Sequence, residues 1–167
     1  MISPHQTEAQ PIRSAFKGAR VREMQIKDIE RIAELERESF STPWSPESIA
    51  YEVANNPFAV ALVVDRHGLI LAYVIGWCFS EESHIGTFAV DPAFRGNGLG
   101  SLLLKNFIAQ VKSRDVPAIH LEVRQSNSAA QQLYFNHGFE QVGLRRNYYT
   151  SEREDALLLS LYLEESE

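Results

Sequence analysis

The sequence has little of what disulfide-bonded, metal-binding or membrane proteins depend on. Its 167 residues include a single cysteine, Cys78, which excludes an internal disulfide and a Cys-x-x-Cys metal site. The five histidines show no metal-ligand spacing, and we predict no bound metal. No run of about 18 apolar residues is present, and the N-terminus lacks the apolar core of a signal peptide. These absences predict a cytoplasmic protein that does not enter a membrane.

Basic residues are also in the minority. Sixteen lysines and arginines against 22 acidic residues give a net charge of −6, so we expect no direct contact with nucleic acid. A basic protein or peptide fits this charge better as a partner. Apolar residues make up 44% and charged residues 23%, which is globular composition. We predict a flexible N-terminal extension over residues 1–19, a single domain over 20–167, and a monomer or weak dimer.

Hydrophobic periodicity predicts the element order β-α-α-β-β-β-α-β-α-β-β from residue 20 onward. Three consecutive strands in the middle of the chain should form an antiparallel meander. The helix after them should cross over to a parallel strand in the right-handed sense. The predicted fold class is therefore α/β, with a mixed central sheet of about seven strands flanked by about four helices.

The stretch around which the chain is organised runs from Phe88 to Ser101, Phe-Ala-Val-Asp-Pro-Ala-Phe-Arg-Gly-Asn-Gly-Leu-Gly-Ser. It ends a strand, crosses a loop rich in glycine and enters a helix at Leu99. Glycines let backbone N–H groups turn toward one point, and the helix adds the positive end of its dipole. The pattern predicts a phosphate site, most naturally for a pyrophosphate. A loop that needs its glycines only to turn is the alternative.

Two known phosphate motifs fit this stretch poorly. A Walker loop requires a lysine that is missing here. Gly96, Gly98 and Ser101 come near the dinucleotide-binding fingerprint, with Glu122 at roughly the right distance. In that motif, however, the glycines follow the strand directly, whereas here residues 91–95 intervene.

The strand predicted over residues 118–124 carries the first candidate catalytic group. Apolar residues at 119, 121 and 123 alternate with His120, Glu122 and Arg124. A central parallel strand covered on both sides is apolar on both faces, so the polar face meets either water or a cleft. The crossover favours the cleft, because it makes this strand the neighbour of the strand ending at Val90.

The spacing in Arg95-Gly96-Asn97-Gly98-Leu99-Gly100 resembles the Arg/Gln-x-x-Gly-x-Gly/Ala signature of the GNAT superfamily of N-acetyltransferases, whose element order the chain matches over about residues 20–163. Further segments resemble the bacterial ribosomal-protein-alanine N-acetyltransferases (RimI type). They are Phe40-x-x-Pro-Trp-Ser45, Leu121-Glu-Val-Arg-Gln-Ser-Asn127, Leu133-Tyr-Phe-Asn-His-Gly-Phe139, Arg146-Asn-Tyr-Tyr149 and Arg153-Glu-Asp-Ala156. Gly96 departs from this family, because many relatives have a basic residue there.

The resemblance implies a GNAT fold and acetyl transfer from acetyl-CoA to a protein N-terminal α-amine, the N-terminal alanine of a small-subunit ribosomal protein. It implies that Glu122 is the general base and Tyr134 the general acid. The implied acetyl-CoA contacts are Phe88, Ala89, Val90, Arg95, Gly96, Asn97, Gly98, Leu99, Gly100, Ser101 and Asn127.

Trp44, Tyr148 and Tyr149 are predicted to line the groove for the substrate's first residues, with ordinary packing as the alternative. Without the resemblance, the helical spacing of Tyr134 favours a core aromatic over a catalytic group, and Asn127 needs no role beyond capping a helix. Two other functions stay open. One is acetylation of small-molecule amines or lysine side chains, and the other is an acyl-CoA-binding sensor or partner subunit without chemistry.

Overall fold

The computed structural model describes residues 16–164, which form seven strands and four helices in the predicted order. The strands are β1 (Arg20–Glu23), β2 (Ala59–Arg66), β3 (Leu69–Cys78), β4 (Ser83–Val90), β5 (Ala118–Arg124), β6 (Glu140–Tyr149) and β7 (Glu154–Tyr162). The helices are α1 (Ile29–Ser39), α2 (Pro46–Ala54), α3 (Leu99–Lys112) and α4 (Ser128–Asn136).

Most of the predicted N-terminal extension, residues 1–15, lies outside the described residues. Phe16 is buried, and its ring packs edge-on against Phe94 with centroids 5.8 Å apart. Phe16, within the predicted extension, therefore packs against the domain. Within residues 16–164, no helix is long and apolar enough to cross a membrane.

The sheet has the order β1-β2-β3-β4-β5-β7-β6. β1 to β4 pair antiparallel, as the meander prediction requires, and β4 pairs parallel with β5 across α3. The last two strands form an antiparallel hairpin, and its return strand β7 lies between β5 and β6. β5 is thus an interior strand, with β4 on one side and β7 on the other.

The helix ends follow from local chemistry. Ser45 caps α2 by accepting the Ser48 N–H at 3.1 Å, and Pro46 occupies the first turn, where its missing N–H costs nothing. Asn127 caps α4 by accepting the Ala130 N–H at 3.1 Å. Gly138 then ends α4 in the left-handed region, with φ +88°.

Apolar clusters lie on both faces of the sheet. β2 shows the alternation that separates them, since Val60, Leu62 and Val64 join the α3 and α4 side and Val63 joins the α1 and α2 side. The structure is therefore three-layered, with two helices on each face. Burial on both faces makes the sheet a rigid support for groups at its central strands.

The central strands separate partway along their length. β4 and β5 pair only at Ser83 with Ile119 and at His84 with His120, although both strands continue for several residues. An opening in the middle of the sheet results.

Candidate active site

A cleft of about 470 Å³ lies where β4 and β5 separate. Its walls come from both strands, from α4, from the segment between α1 and α2, and from the turn between β6 and β7. Seven of the predicted site residues line it: Trp44, Phe88, Glu122, Asn127, Tyr134, Tyr148 and Tyr149. The chain thus brings residues from distant segments to one opening.

A bulge in β4 shapes the floor of the cleft. The pairing register with β3 shifts there, so that Gly86 is an extra residue on β4. A Cβ at Gly86 would lie 2.5 Å from Cη2 of Trp77, which is closer than real contacts allow. Trp77 in turn stacks on Trp44, with ring centroids 5.9 Å apart. The bulge therefore needs glycine because an indole occupies the space of any side chain.

Glu122 projects from β5 into the cleft and pairs with a histidine on β4. Its Oε2 lies 2.8 Å from Nε2 of His84, and a carboxylate only accepts, so this nitrogen donates. That hydrogen bond, partly opposed by burial, holds the pKa of Glu122 below its usual value. Glu122 is therefore ionised at neutral pH and able to accept a proton. His120, which the alternation places on the same face of β5 as Glu122, contacts the Ser160 hydroxyl through Nδ1 at 2.7 Å.

Tyr134 lines the cleft from α4. Its ring packs edge-on against Phe88 and Phe139, with centroids 6.0 and 5.5 Å away. Burial, followed by the nearby Tyr149, raises the pKa of Tyr134, so its phenol stays protonated well above neutral pH. The hydroxyl makes no hydrogen bond to any residue in the described range 16–164. Tyr134 is thus a core aromatic whose side chain also lines the cleft.

The glycine-rich loop joins β4 to α3. Gly96 and Gly98 both lie in the left-handed region, with φ +76° and +84°, where other residues are strained. Gly98 is the N-cap of α3 and no side chain caps that terminus, so its first N–H groups are left to water or a ligand. The side chains of Arg95 and Asn97 fold back onto the loop, donating to the carbonyls of Val90 at 3.1 Å and Phe94 at 2.8 Å.

The remaining residues predicted to contact acetyl-CoA pack within the fold or contact other residues of the protein. Ala89 and Leu99 are buried in the two apolar clusters, and Val90 packs against one of them. A Cβ at Gly100 would lie 3.3 Å from Leu133 on α4, so the lack of a side chain at Gly100 lets α3 approach α4. Ser101 contacts Nε2 of His137 at 2.9 Å. For Ala89, Leu99 and Gly100, a ligand can therefore contact only the main chain.

Comparison with known proteins agrees with this arrangement. Residues 29–139 match the Acetyltransferase (GNAT) family. The chain belongs to the GNAT acetyltransferase family. It is therefore an enzyme, and members of this family use acetyl-CoA as the acetyl donor. The predicted α/β fold with its mixed sheet is confirmed.

The relatives of this acetyltransferase cover nearly all of its domain. It is 36% identical over 142 residues to the ribosomal protein bS18-alanine N-acetyltransferase of Haemophilus ducreyi, spanning 82% of this chain and 95% of the relative. The Escherichia coli enzyme of the same name is 33% identical over 140 residues, spanning 83% and 93%. The crystal structure of the ribosomal-protein-S18-alanine N-acetyltransferase from Escherichia coli has a TM-score of 0.81 at 30% identity, covering 89% and 96%.

The acetyltransferase also has a buried carboxylate at the cleft that was not among the predicted site residues. Glu36 on α1 is 1% exposed. It accepts hydrogen bonds from the hydroxyl of Tyr73 on β3, at 2.6 Å, and from the hydroxyl of Thr87 on β4. It also accepts one from the main-chain N–H of Trp44 at 2.9 Å. Three separate segments are therefore attached to α1 through one side chain. An acidic residue at a core-facing position of α1 is the sequence signal that identifies it.

Replacing Glu36 by glutamine should destabilise the fold. The amide puts an N–H donor where one carboxylate oxygen accepts, so at least one buried donor loses its partner. We expect Glu36→Gln to lower the free energy of unfolding by about 2 kcal/mol, the usual cost of such a group. Urea denaturation followed by circular dichroism measures this. Glu38→Gln, an exposed position on the same helix, is the matched control and should leave the midpoint unchanged. Equal midpoints for both variants would contradict this role of Glu36.

Proposed function

We propose that this acetyltransferase moves acetyl from acetyl-CoA to the N-terminal α-amine of a protein, the N-terminal alanine of a small-subunit ribosomal protein. The observation that carries the proposal is that Glu122 and Tyr134 line the same cleft. A group able to accept a proton and a group able to donate one thus share one cavity. The relatives named bS18-alanine N-acetyltransferase support the ribosomal target.

The loop between β4 and α3 fits the pyrophosphate of acetyl-CoA. Two glycines in the left-handed region, Gly96 and Gly98, precede an uncapped helix N-terminus, which is a suitable arrangement for a phosphate. Beyond His84, β4 has no pairing with β5, so main-chain groups on that edge of β4 are available to the rest of the acetyl-CoA molecule. Acetyl-CoA, when bound, supplies an acetyl group activated as a thioester.

The chain's own groups complete the reaction. Glu122, ionised and oriented by His84, accepts the proton of the substrate amine directly or through a water. Main-chain N–H groups on the separated edge of β4 polarise the acetyl carbonyl. The Tyr134 hydroxyl, which burial keeps protonated at neutral pH, donates its proton to the sulfur that leaves.

The acid–base chemistry favours an α-amine over a lysine side chain. An α-amino group has a pKa near 8, so roughly a tenth of it is neutral at pH 7. A lysine has a pKa near 10.4, and only about one molecule in a few thousand is neutral at that pH. A weak base such as Glu122 suffices for the first amine. The net charge of −6 also favours encounter with the basic proteins of the ribosome.

The glycine loop is tested by a pair of matched substitutions. We expect Gly98→Ala to weaken acetyl-CoA binding by about tenfold or more, because a side chain hinders backbone approach to the pyrophosphate. Gly68→Ala is the control, since Gly68 also lies in the left-handed region, with φ +88°, but in the β2–β3 turn. Isothermal titration calorimetry compares the two. Equal affinities would remove the loop from acetyl-CoA binding.

The function itself is tested on peptides and in cells. Peptides that begin with a free alanine should be acetylated with a higher kcat/KM than the same peptides with a blocked N-terminus and an internal lysine. Mass spectrometry should find one ribosomal protein with a free N-terminal alanine when the protein is absent. Preference for lysine or for small amines would overturn the α-amine assignment. Acetyl-CoA binding without turnover on any amine would instead indicate a sensor.

A further inference from the structure

Two segments that are far apart in the chain line the cleft. Phe40, Thr42 and Trp44 contribute from the segment between α1 and α2. Residues 150–152 contribute from the turn between β6 and β7. A polypeptide N-terminus that occupies the cleft lies beside both segments, so their separation affects the width available to it.

One side chain contacts both segments. Arg124, at the end of β5, donates through Nη2 to the Ser41 hydroxyl at 3.1 Å. Through Nη1 it donates to carboxylate oxygens of Glu152 at 3.0 Å and Glu154 at 3.4 Å. Its guanidinium also lies over the ring of Tyr149, 3.9 Å from the centroid. These contacts join the α1–α2 segment, the β6–β7 turn and the central sheet.

The geometry requires arginine in particular. The planar guanidinium presents donors in several directions at once and stacks on an aromatic ring, whereas a lysine ammonium is a single point of charge. Lysine therefore keeps the positive charge at the cleft but cannot reach Ser41 and Glu152 together. Arg124 and Glu122 share the same face of β5, so retaining the charge also preserves the electrostatic surroundings of Glu122.

We propose that Arg124 is a positioning residue that fixes the two segments at the separation a polypeptide N-terminus needs. The proposal rests on the proposed function, because the occupant of the groove is a polypeptide. With the segments held in place, the substrate does not have to order them when it binds. Arg124 therefore acts on the affinity for the peptide, while Glu122 and Tyr134 act on the chemical step.

The test is a double-mutant cycle on the intact enzyme with a peptide that begins with alanine. Arg124→Lys should raise KM for the peptide about fivefold, the effect expected for charge-assisted hydrogen bonds at a partly exposed site. Glu152→Gln should raise it less, and the double variant should match Arg124→Lys alone, because both changes break the same bridge. The kcat and the KM for acetyl-CoA should stay within about twofold of wild type. Arg153→Lys, an exposed position in the same turn, is the matched control.

Three results would overturn the proposal. They are an unchanged KM for the peptide in Arg124→Lys, a fall in kcat at constant KM, and fully additive effects in the cycle. If Arg124→Lys lowers the thermal midpoint, the double variant Ser41→Ala with Glu152→Gln removes the partners of Arg124 instead of Arg124 itself. It should raise the KM for the peptide and leave kcat unchanged. A wild-type enzyme that does not acetylate the peptide at all contradicts the proposed function, and with it the polypeptide as the occupant of the groove.

Discussion

Tyr134→Phe should lower kcat by about 100-fold or more, the usual effect of losing a general acid. The substitution removes one oxygen and keeps the ring, so the edge-on contacts with Phe88 and Phe139 remain. Because the hydroxyl makes no hydrogen bond within residues 16–164, the free energy of unfolding should change little. Burial raises the pKa of Tyr134, so the phenol is protonated across the whole pH range of the assay. The fall in kcat should therefore be the same at every pH.

The measurement is steady-state kinetics with a peptide that begins with alanine, together with titration of acetyl-CoA. Tyr51→Phe makes the same atomic change on an exposed face of α2 and should leave kcat unchanged. Acetyl-CoA affinity should be the same in both variants. A Tyr134→Phe enzyme with near wild-type turnover would show that Tyr134 serves packing alone.

Local signals account for most of the correct fold prediction. Ser45-Pro46 begins α2, and Asn127 and Gly138 bound α4, because caps and left-handed positions depend on residues within one turn. The place of β7 between β5 and β6 could not be predicted in this way. The register that sets it pairs residues such as Leu121 with Leu159, and no local pattern encodes which of two hairpin strands meets β5.

Part of the site was predictable for a physical reason and part only by resemblance. The alternation of β5 predicted a polar face of His120, Glu122 and Arg124, and the last two line the cleft. Tyr134 could not be separated from an ordinary core aromatic by its helical spacing, and the structure shows it both buried and in the lining of the cleft. The pairing of Glu122 with His84 and the hydrogen bonds of Glu36 with Tyr73 and Thr87 join residues 37 to 51 positions apart. Contacts at such separation leave no trace in a local pattern.

The strongest test of the mechanism is Glu122→Gln measured across pH. Glutamine keeps the size and much of the hydrogen bonding of Glu122, but it cannot accept a proton at neutral pH. The hydrogen bond from His84 holds the pKa of Glu122 below its usual value, so the carboxylate stays ionised at every pH of the assay. Its own titration therefore adds no limb to the profile between about pH 6 and pH 9, the range in which the substrate amine, with a pKa near 8, changes charge.

If Glu122 is the base, Glu122→Gln should lose about 100-fold or more in rate near pH 7, and the loss should shrink as the pH rises past about 8. The amine is already neutral there, so a missing base matters less. The measurement is a pH–rate profile of both enzymes on a peptide with a free N-terminal alanine, with Glu140→Gln, an exposed position on β6, as the control. Parallel profiles for wild type and Glu122→Gln would remove Glu122 from the proton transfer, because a purely structural carboxylate changes the rate by the same factor at every pH.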